Sequence, residues 1–102
     1  MAADCFVAFV LEQLADVDRV ACRPMFGGHG LYRGSEFFGI VFEGRLYLKT
    51  DHTTAPQFVR RGMKPFKPRE RQTLRAYYEV PPDVLESRTE LAAWAEAAAT
   101  TK

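Results

Sequence analysis

The sequence contains few of the residues that build disulfide scaffolds, metal sites or membrane spans. Among 102 residues there are two cysteines, two histidines and one tryptophan. Two cysteines are too few for a disulfide scaffold, and no spacing of cysteine and histidine matches a zinc motif. No apolar run approaches the roughly 20 residues of a membrane-spanning helix, and the N-terminus lacks the basic segment of a signal peptide. We therefore expect a cytoplasmic protein without membrane contact, metal or cofactor.

What the chain has in quantity is apolar and aromatic surface. Hydrophobic residues make up 47% of the sequence and aromatic residues 13%. This content excludes a disordered or low-complexity chain. A chain of this length is too short to divide into two parts that each bury a core. We therefore predict a single domain over residues 1–102.

Positive charge is concentrated in the middle of the chain. Residues 45–75 contain nine cations and two acids, whereas the whole chain has a net charge of only +1. A basic segment with interleaved aromatics can bind phosphate backbones or an acidic protein face. It can equally be a solvated face that the acidic ends of the same fold neutralise, and both interpretations stay open. The candidate nucleic-acid contacts are Arg60, Arg61, Lys64, Lys67, Arg69 and Arg71.

The hydrophobic pattern predicts helices at both ends and strands between them. The spacing predicts an amphipathic helix over 4–15 and a final helix after Ser87, which with Glu90 matches a capping box. The strands are expected at 20–23, 31–33, 36–42, 45–49 and 73–80, a short helix near 54–61, a loop over 63–72 and a helical turn at 82–85. This order predicts an α+β fold, in which an antiparallel meander and a later strand form a sheet whose one face is covered by the terminal helices.

The glycine-dense run Gly27–Gly30 is the feature closest to a binding motif. Phosphate loops need a following helix and usually a lysine, but a strand follows here. A tight turn with positive φ explains the glycines more simply. No set of acid, base and nucleophile is suggested elsewhere, so we expect no enzymatic activity and no catalytic residues.

Three of the residues that precede the glycines are candidate contacts with a partner: Arg23, Met25 and Phe26. Met25 and Phe26 either plug the core beside the turn or offer an apolar contact to a partner, and the sequence does not separate these alternatives. Arg23 could form a buried ion pair with Glu79. The strand at 20–23 ends at a proline, which is typical of a sheet edge, and an edge can pair with a partner strand or with a second copy of the chain.

Five separated motifs together resemble one bacterial family. They are RPMFGGHGLY at 23–32, FGIV at 38–41, GRLYLKTD at 44–51, GMKPF at 62–66 and YYEVP at 77–81, followed by a helix that contains Trp94. In this combination the chain resembles the N-terminal domain of the TfoX/Sxy family, regulators of DNA-uptake competence, over about residues 5–99. His29 stands where the family more often has an aromatic residue.

The resemblance implies a fold and a class of function. The implied fold is α+β, and the implied function is co-activation of transcription together with a sequence-specific DNA-binding activator, without catalytic residues. Two-domain members carry a further helical domain, so we expect a stand-alone N-terminal domain. The first hypothesis is thus a non-enzymatic interaction domain whose partner is a protein of the transcription machinery or a homodimer mate. The alternative is direct, sequence-nonspecific nucleic-acid binding through residues 45–75.

Overall fold

Over its described residues, the chain folds as four helices and one six-stranded sheet. The computed structural model describes residues 2–25, 27–69 and 72–101, without the side chains of 2–4, 68, 69 and 72–74. The helices and strands are, in chain order, α1 (Ala2–Gln13), β1 (Val20–Met25), β2 (Gly28–Arg33), β3 (Glu36–Phe42), β4 (Arg45–Lys49), α2 (Ala55–Val59), β5 (Pro65–Arg69), β6 (Gln72–Glu79), α3 (Pro82–Leu85) and α4 (Arg88–Thr100).

The sheet is antiparallel and its order is β1-β2-β3-β4-β6-β5. Strands β1 to β4 are consecutive hairpins, which confirms the predicted meander. After α2 the chain returns so that β6 pairs with β4, and β5 becomes the far edge. The α+β class predicted from the sequence is confirmed.

The first face of the sheet carries all four helices. Leu31, Leu46 and Leu48 point to this face and pack against Val10 of α1 and Leu91 of α4, each of them at most 1% exposed. Phe58 of α2 and Val84 of α3 complete the same cluster. We call this cluster the helical core. The expectation that the terminal helices share one face is confirmed.

A bulge in β3 explains why its sequence is apolar almost throughout. The register with β2 shifts so that Leu31 lies opposite Gly39 and Tyr32 lies opposite Phe37, which leaves Phe38 as the extra residue. Phe38 then enters the helical core, whereas Phe37 and Ile40 belong to an apolar cluster on the opposite face. Gly39 has to be small, because a Cβ there would approach Leu31 and Leu48 within 3.3 Å.

The prediction of a loop over 63–72 is wrong, because β5 occupies Pro65–Arg69. Its two prolines and its charges are typical of loops, but an edge strand tolerates proline since one side of its backbone has no ladder to complete. Phe66 holds the strand in place. Its ring lies 4.7 Å from that of Tyr47 and it is 1% exposed.

The sheet curls strongly toward its second face. Strand β5 is three positions from β3 in the sheet order, which in a flat sheet corresponds to about 14 Å. The ring centroids of Phe66 on β5 and Phe42 on β3 are nevertheless only 5.3 Å apart. The β5–β6 hairpin therefore folds over one half of the second face and buries Ile40, Tyr47 and Phe66.

The ends of the helices are fixed by side chains that the sequence partly predicts. Ser87 accepts a hydrogen bond from the backbone N–H of Glu90 at 3.3 Å and so begins α4, as the capping box predicts. Asp51 accepts hydrogen bonds from the backbone N–H groups of Thr53 and Thr54. A bond from the Thr53 hydroxyl and these two backbone bonds lower the pKa of Asp51 to about 2. The N-cap residue of α2 is Thr54, whose side chain makes no capping hydrogen bond.

Within the described residues, every helix is too short or too polar to span a lipid bilayer.

Candidate interaction surfaces

The second face of the sheet is lined by aromatic side chains and carries none of the four helices. Strand alternation and the β3 bulge bring these side chains to it from β2, β3, β4 and β6. One half is covered by the β5–β6 hairpin. The other half holds three half-buried rings, which we call the aromatic row: Tyr32, Phe37 and Tyr77.

The aromatic row extends from β2 to β6, and its three rings come from β2, β3 and β6. The ring centroids of Tyr32 and Phe37 are 5.1 Å apart, and those of Phe37 and Tyr77 are 5.5 Å apart. Lys49 of β4 lies directly opposite Tyr77 in the register. Burial raises the pKa of Tyr77, and the neighbouring Tyr32 raises it further. The Tyr77 hydroxyl therefore keeps its proton at neutral pH and can donate a hydrogen bond.

Gly30 makes room for the rings of Tyr32 and Phe37, and Gly28 lets β2 approach the backbone of β3. A Cβ on Gly30 would lie 2.6 Å from Sδ of Met25 and 2.9 Å from Cε1 of Phe37, and a Cβ on Gly28 would collide with the carbonyl oxygen of Val41. Within the run Gly27–Gly30, only Gly27 has the positive φ of a turn, at +82°. The turn predicted over Gly27–Gly30 is therefore shorter than expected, because Gly28 and Gly30 already belong to β2.

The structure places two of the three candidate partner contacts beside the aromatic row. Arg23 is exposed, and its guanidinium carbon lies 5.4 Å from the centre of the Tyr32 ring. Met25 is half-buried with its sulfur above Gly30. Phe26 lies outside the described residues. The hypothesised buried pair of Arg23 with Glu79 is not formed, because Glu79 pairs with Arg45 at 3.2 Å.

The two edges of the sheet differ in how well they can accept another strand. Of the strands that the structure describes, only β2 pairs with β1, which leaves the outer backbone over Val20–Arg23 without a strand partner. Pro24 has no N–H, which marks its position as one that faces away from β2. At the other edge β5 carries Pro65 and Pro68 and two register shifts against β6. A partner strand can therefore form a ladder of backbone hydrogen bonds with β1, whereas the prolines and register shifts of β5 obstruct such a ladder.

The candidate nucleic-acid contacts do not gather on one element. Arg60 and Arg61 follow α2, whereas Lys67 and Arg69 lie on β5. Arg60, Lys64 and Lys67 are exposed; the side chain of Arg69 and all of Arg71 lie outside the described part of the chain.

Arg61 is already paired within the fold. It donates to Asp83 at 2.5 Å, a bond that lowers the pKa of this carboxyl group, and its guanidinium lies 5.5 Å from the centre of the Trp94 ring. Together with the pair of Arg45 and Glu79, this contact brings acids from the C-terminal third against the basic middle. Such exposed pairs contribute little to stability, but they lower the positive charge of the segment.

The described residues offer little for metal or covalent chemistry. Among them, no group of three or more His, Cys, Asp or Glu side chains could hold a metal ion. The Cys22 thiol packs against the helical core, and burial raises its pKa, which disfavours the reactive thiolate at neutral pH.

The aromatic row is the feature that reasoning from the sequence missed. Two signals in the sequence could have revealed the second apolar face on which it lies. Strict alternation in β4 turns Tyr47 and Lys49 away from Leu46 and Leu48, and the apolar run of β3 supplies more large side chains than one face can hold. Together they indicate a second apolar face.

Comparison with known proteins gives one informative result. The family model described as TfoX N-terminal domain matches residues 12–101, which include everything from the end of α1 to the end of α4. No match was found among curated proteins.

Proposed function

The chain belongs to the TfoX N-terminal domain family, and from this membership we propose that it is a non-enzymatic regulatory domain of bacterial transcription. In the cytoplasm it contacts a protein partner, either the transcription machinery or a DNA-binding activator of competence genes. The role of co-activator is the one that the resemblance to TfoX/Sxy regulators implies.

The observation that supports contact with a protein is the free edge of β1. Among the described strands, none pairs with the outer side of the backbone over Val20–Arg23. Addition of a strand to such an edge is a common mode of protein recognition, in which main-chain hydrogen bonds give affinity. The same edge could pair across a two-fold axis to form a homodimer.

The test is transcription in vitro from a competence-gene promoter. RNA polymerase and the promoter's activator are combined with and without the purified chain, and transcript yield is measured. We expect the chain to raise the yield severalfold only when the activator is present. A folded chain that leaves the yield unchanged contradicts the proposal.

A pair of variants at one position tests the role of the edge. Cys22 is two residues before Pro24, so its N–H also faces outward, and Cys22→Pro removes this donor while Cys22→Ala removes only the thiol. We expect Cys22→Pro to lose stimulation and any dimer seen by light scattering, and Cys22→Ala to keep both. Equal activity of the two folded variants would show that the partner binds elsewhere.

The alternative, nucleic-acid binding through residues 45–75, has weaker support. Two described cations of the segment, Arg45 and Arg61, are paired with acids, and the exposed candidate cations are divided between the loop after α2 and strand β5. Weakening of binding by Arg60→Gln together with Lys64→Gln, more strongly at low salt, would support this alternative.

A further inference from the structure

The exposed half of the second face combines aromatic rings with positive charge. Its centre is the aromatic row of Tyr32, Phe37 and Tyr77, each of which remains partly exposed. No described helix covers it. An uncovered row of aromatic rings is typical of a contact site rather than of a solvated surface.

Positive charge lies beside this row at two places. Arg23 lies over the Tyr32 ring at one end, and Lys49 lies on β4, between β3 with Phe37 and β6 with Tyr77. On the described strands, Glu79 is the carboxylate of this face, and Arg45 pairs with it. Arg23 and Lys49 form no ion pair with a described acid. The ligand that complements this surface therefore has planar apolar groups and negative charge.

Several occupants are excluded by this chemistry. A second copy that packs face to face would bring the same cations against each other. Double-stranded nucleic acid keeps its bases stacked inside the helix, where the rings cannot reach them. Bases of a single strand are free to stack on aromatic side chains while the adjacent phosphates meet lysine and arginine.

We propose that the aromatic row is a binding site for single-stranded nucleic acid. Bases stack on Tyr32, Phe37 and Tyr77, and phosphates pair with Arg23 and Lys49. The Tyr77 hydroxyl, which stays protonated, supplies a donor to a base or a phosphate. The row accommodates about two or three bases, as other aromatic sheet platforms do. This site is distinct from the backbone edge of β1 and does not depend on the protein contact proposed there.

The test is a fluorescence-anisotropy titration of the full chain with labelled DNA and RNA single strands of about 12 nucleotides. A duplex of the same sequence and an acidic peptide that contains aromatic residues are measured in parallel. We expect the single strands to bind more tightly than the duplex and the peptide, and binding to weaken when salt rises from about 50 to about 200 mM.

Substitutions in the aromatic row test whether the single strand binds there. The double variant Tyr32→Leu with Phe37→Leu keeps apolar volume but removes two rings, and we expect binding about tenfold weaker. Lys49→Gln should weaken binding severalfold and reduce its salt dependence. The matched controls are Phe9→Leu, which removes an exposed ring on α1, and Arg60→Gln, which removes an exposed cation after α2. Both controls should bind as the unmodified chain does.

Three results would overturn the proposal. They are absence of single-strand binding at low salt, unchanged affinity in the folded double variant, and preference for the duplex or the acidic peptide. If the double variant does not fold, photo-crosslinking of bromouracil-containing RNA to the unmodified chain decides the question. Adducts on Tyr32, Phe37 or Tyr77 support the proposal, and adducts confined to Arg60–Lys67 contradict it.

Discussion

Single atoms decide which strand positions of this fold accept a side chain. Gly28 and Gly30 have ordinary negative φ, so the backbone alone does not require glycine at either place. The requirement comes from space, because a Cβ at Gly28 would collide with the backbone of β3 and one at Gly30 with Met25 and Phe37. These two glycines let β2 and β3 approach under the rings of the second face.

Two alanine substitutions distinguish a glycine that is required by lack of space from a glycine that is required by its positive φ. Gly28→Ala forces the carbonyl oxygen of Val41 to move out of the sheet ladder, and we expect a loss of about 2–3 kcal/mol in the free energy of unfolding. Gly44 has φ +74° but open space around its Cβ position, so Gly44→Ala should cost about 1 kcal/mol. Urea unfolding compares the two, and equal losses would contradict this assignment.

The glycine run shows what the sequence could not supply at this scale. The residue types correctly predicted a turn with positive φ, which is found at Gly27. They could not show that Gly28 and Gly30 lie within a strand, because their neighbours in space, Val41 and Phe37, come from β3. A close approach between strands leaves no signal in the sequence of either strand alone.

At the scale of elements, local chemistry predicts the helices well. The last helix begins where Ser87 and Glu90 indicate, and its N-cap bond is formed. The reciprocal half of the capping box is not needed, because the N–H of Ser87 donates to the carbonyl of Val84 at 3.0 Å. Short helix α3 thus continues almost directly into α4.

The cap of α4 should contribute measurably to stability. Ser87→Ala removes the acceptor for the N–H of Glu90, and we expect a loss of about 1 kcal/mol in the free energy of unfolding. Ser35→Ala, in the exposed turn between β2 and β3, is the control and should change stability by less than about 0.5 kcal/mol. Equal effects of the two variants in urea unfolding would show that the cap is not what begins the helix.

Strand β5 is the element that local chemistry does not predict. Its prolines and charges resemble a loop, and its strand conformation depends on the pairing with β6 and on the burial of Phe66 against Tyr47 and Phe42. These partners are distant in the sequence. An edge strand of this kind is recognised only when the curl of the whole sheet is known.

At the scale of the whole molecule, the sheet separates two environments. The first face is a conventional core closed by four helices, and the apolar periodicity of the sequence predicted the two terminal helices of this layer. The second face is half closed by the β5–β6 hairpin and half open as the aromatic row. The sequence indicates a second apolar face but not which rings meet on its open half, because Tyr32, Phe37 and Tyr77 become neighbours only through the β3 bulge and the strand order.

Cations that are neighbours in the sequence are not the ones that lie together in the folded molecule. The basic middle of the chain indicates one cationic surface, but folding places Arg61 beside Asp83 on the helical side and Lys49 beside the aromatic row. Arg23, which lies outside the basic segment, joins the row through its contact with Tyr32. Positions in the sheet, and not positions in the sequence, therefore determine which cations can act together.

We expect the second face of the sheet, and not the helical side, to be the surface that contacts single-stranded nucleic acid. An amide chemical-shift titration of the isotopically labelled chain with single-stranded DNA tests this residue by residue. The largest shifts should occur at Arg23, Tyr32, Phe37, Lys49 and Tyr77, and they should shrink at high salt. Shifts concentrated at Arg60–Lys64, or shifts spread evenly over both faces, would contradict it.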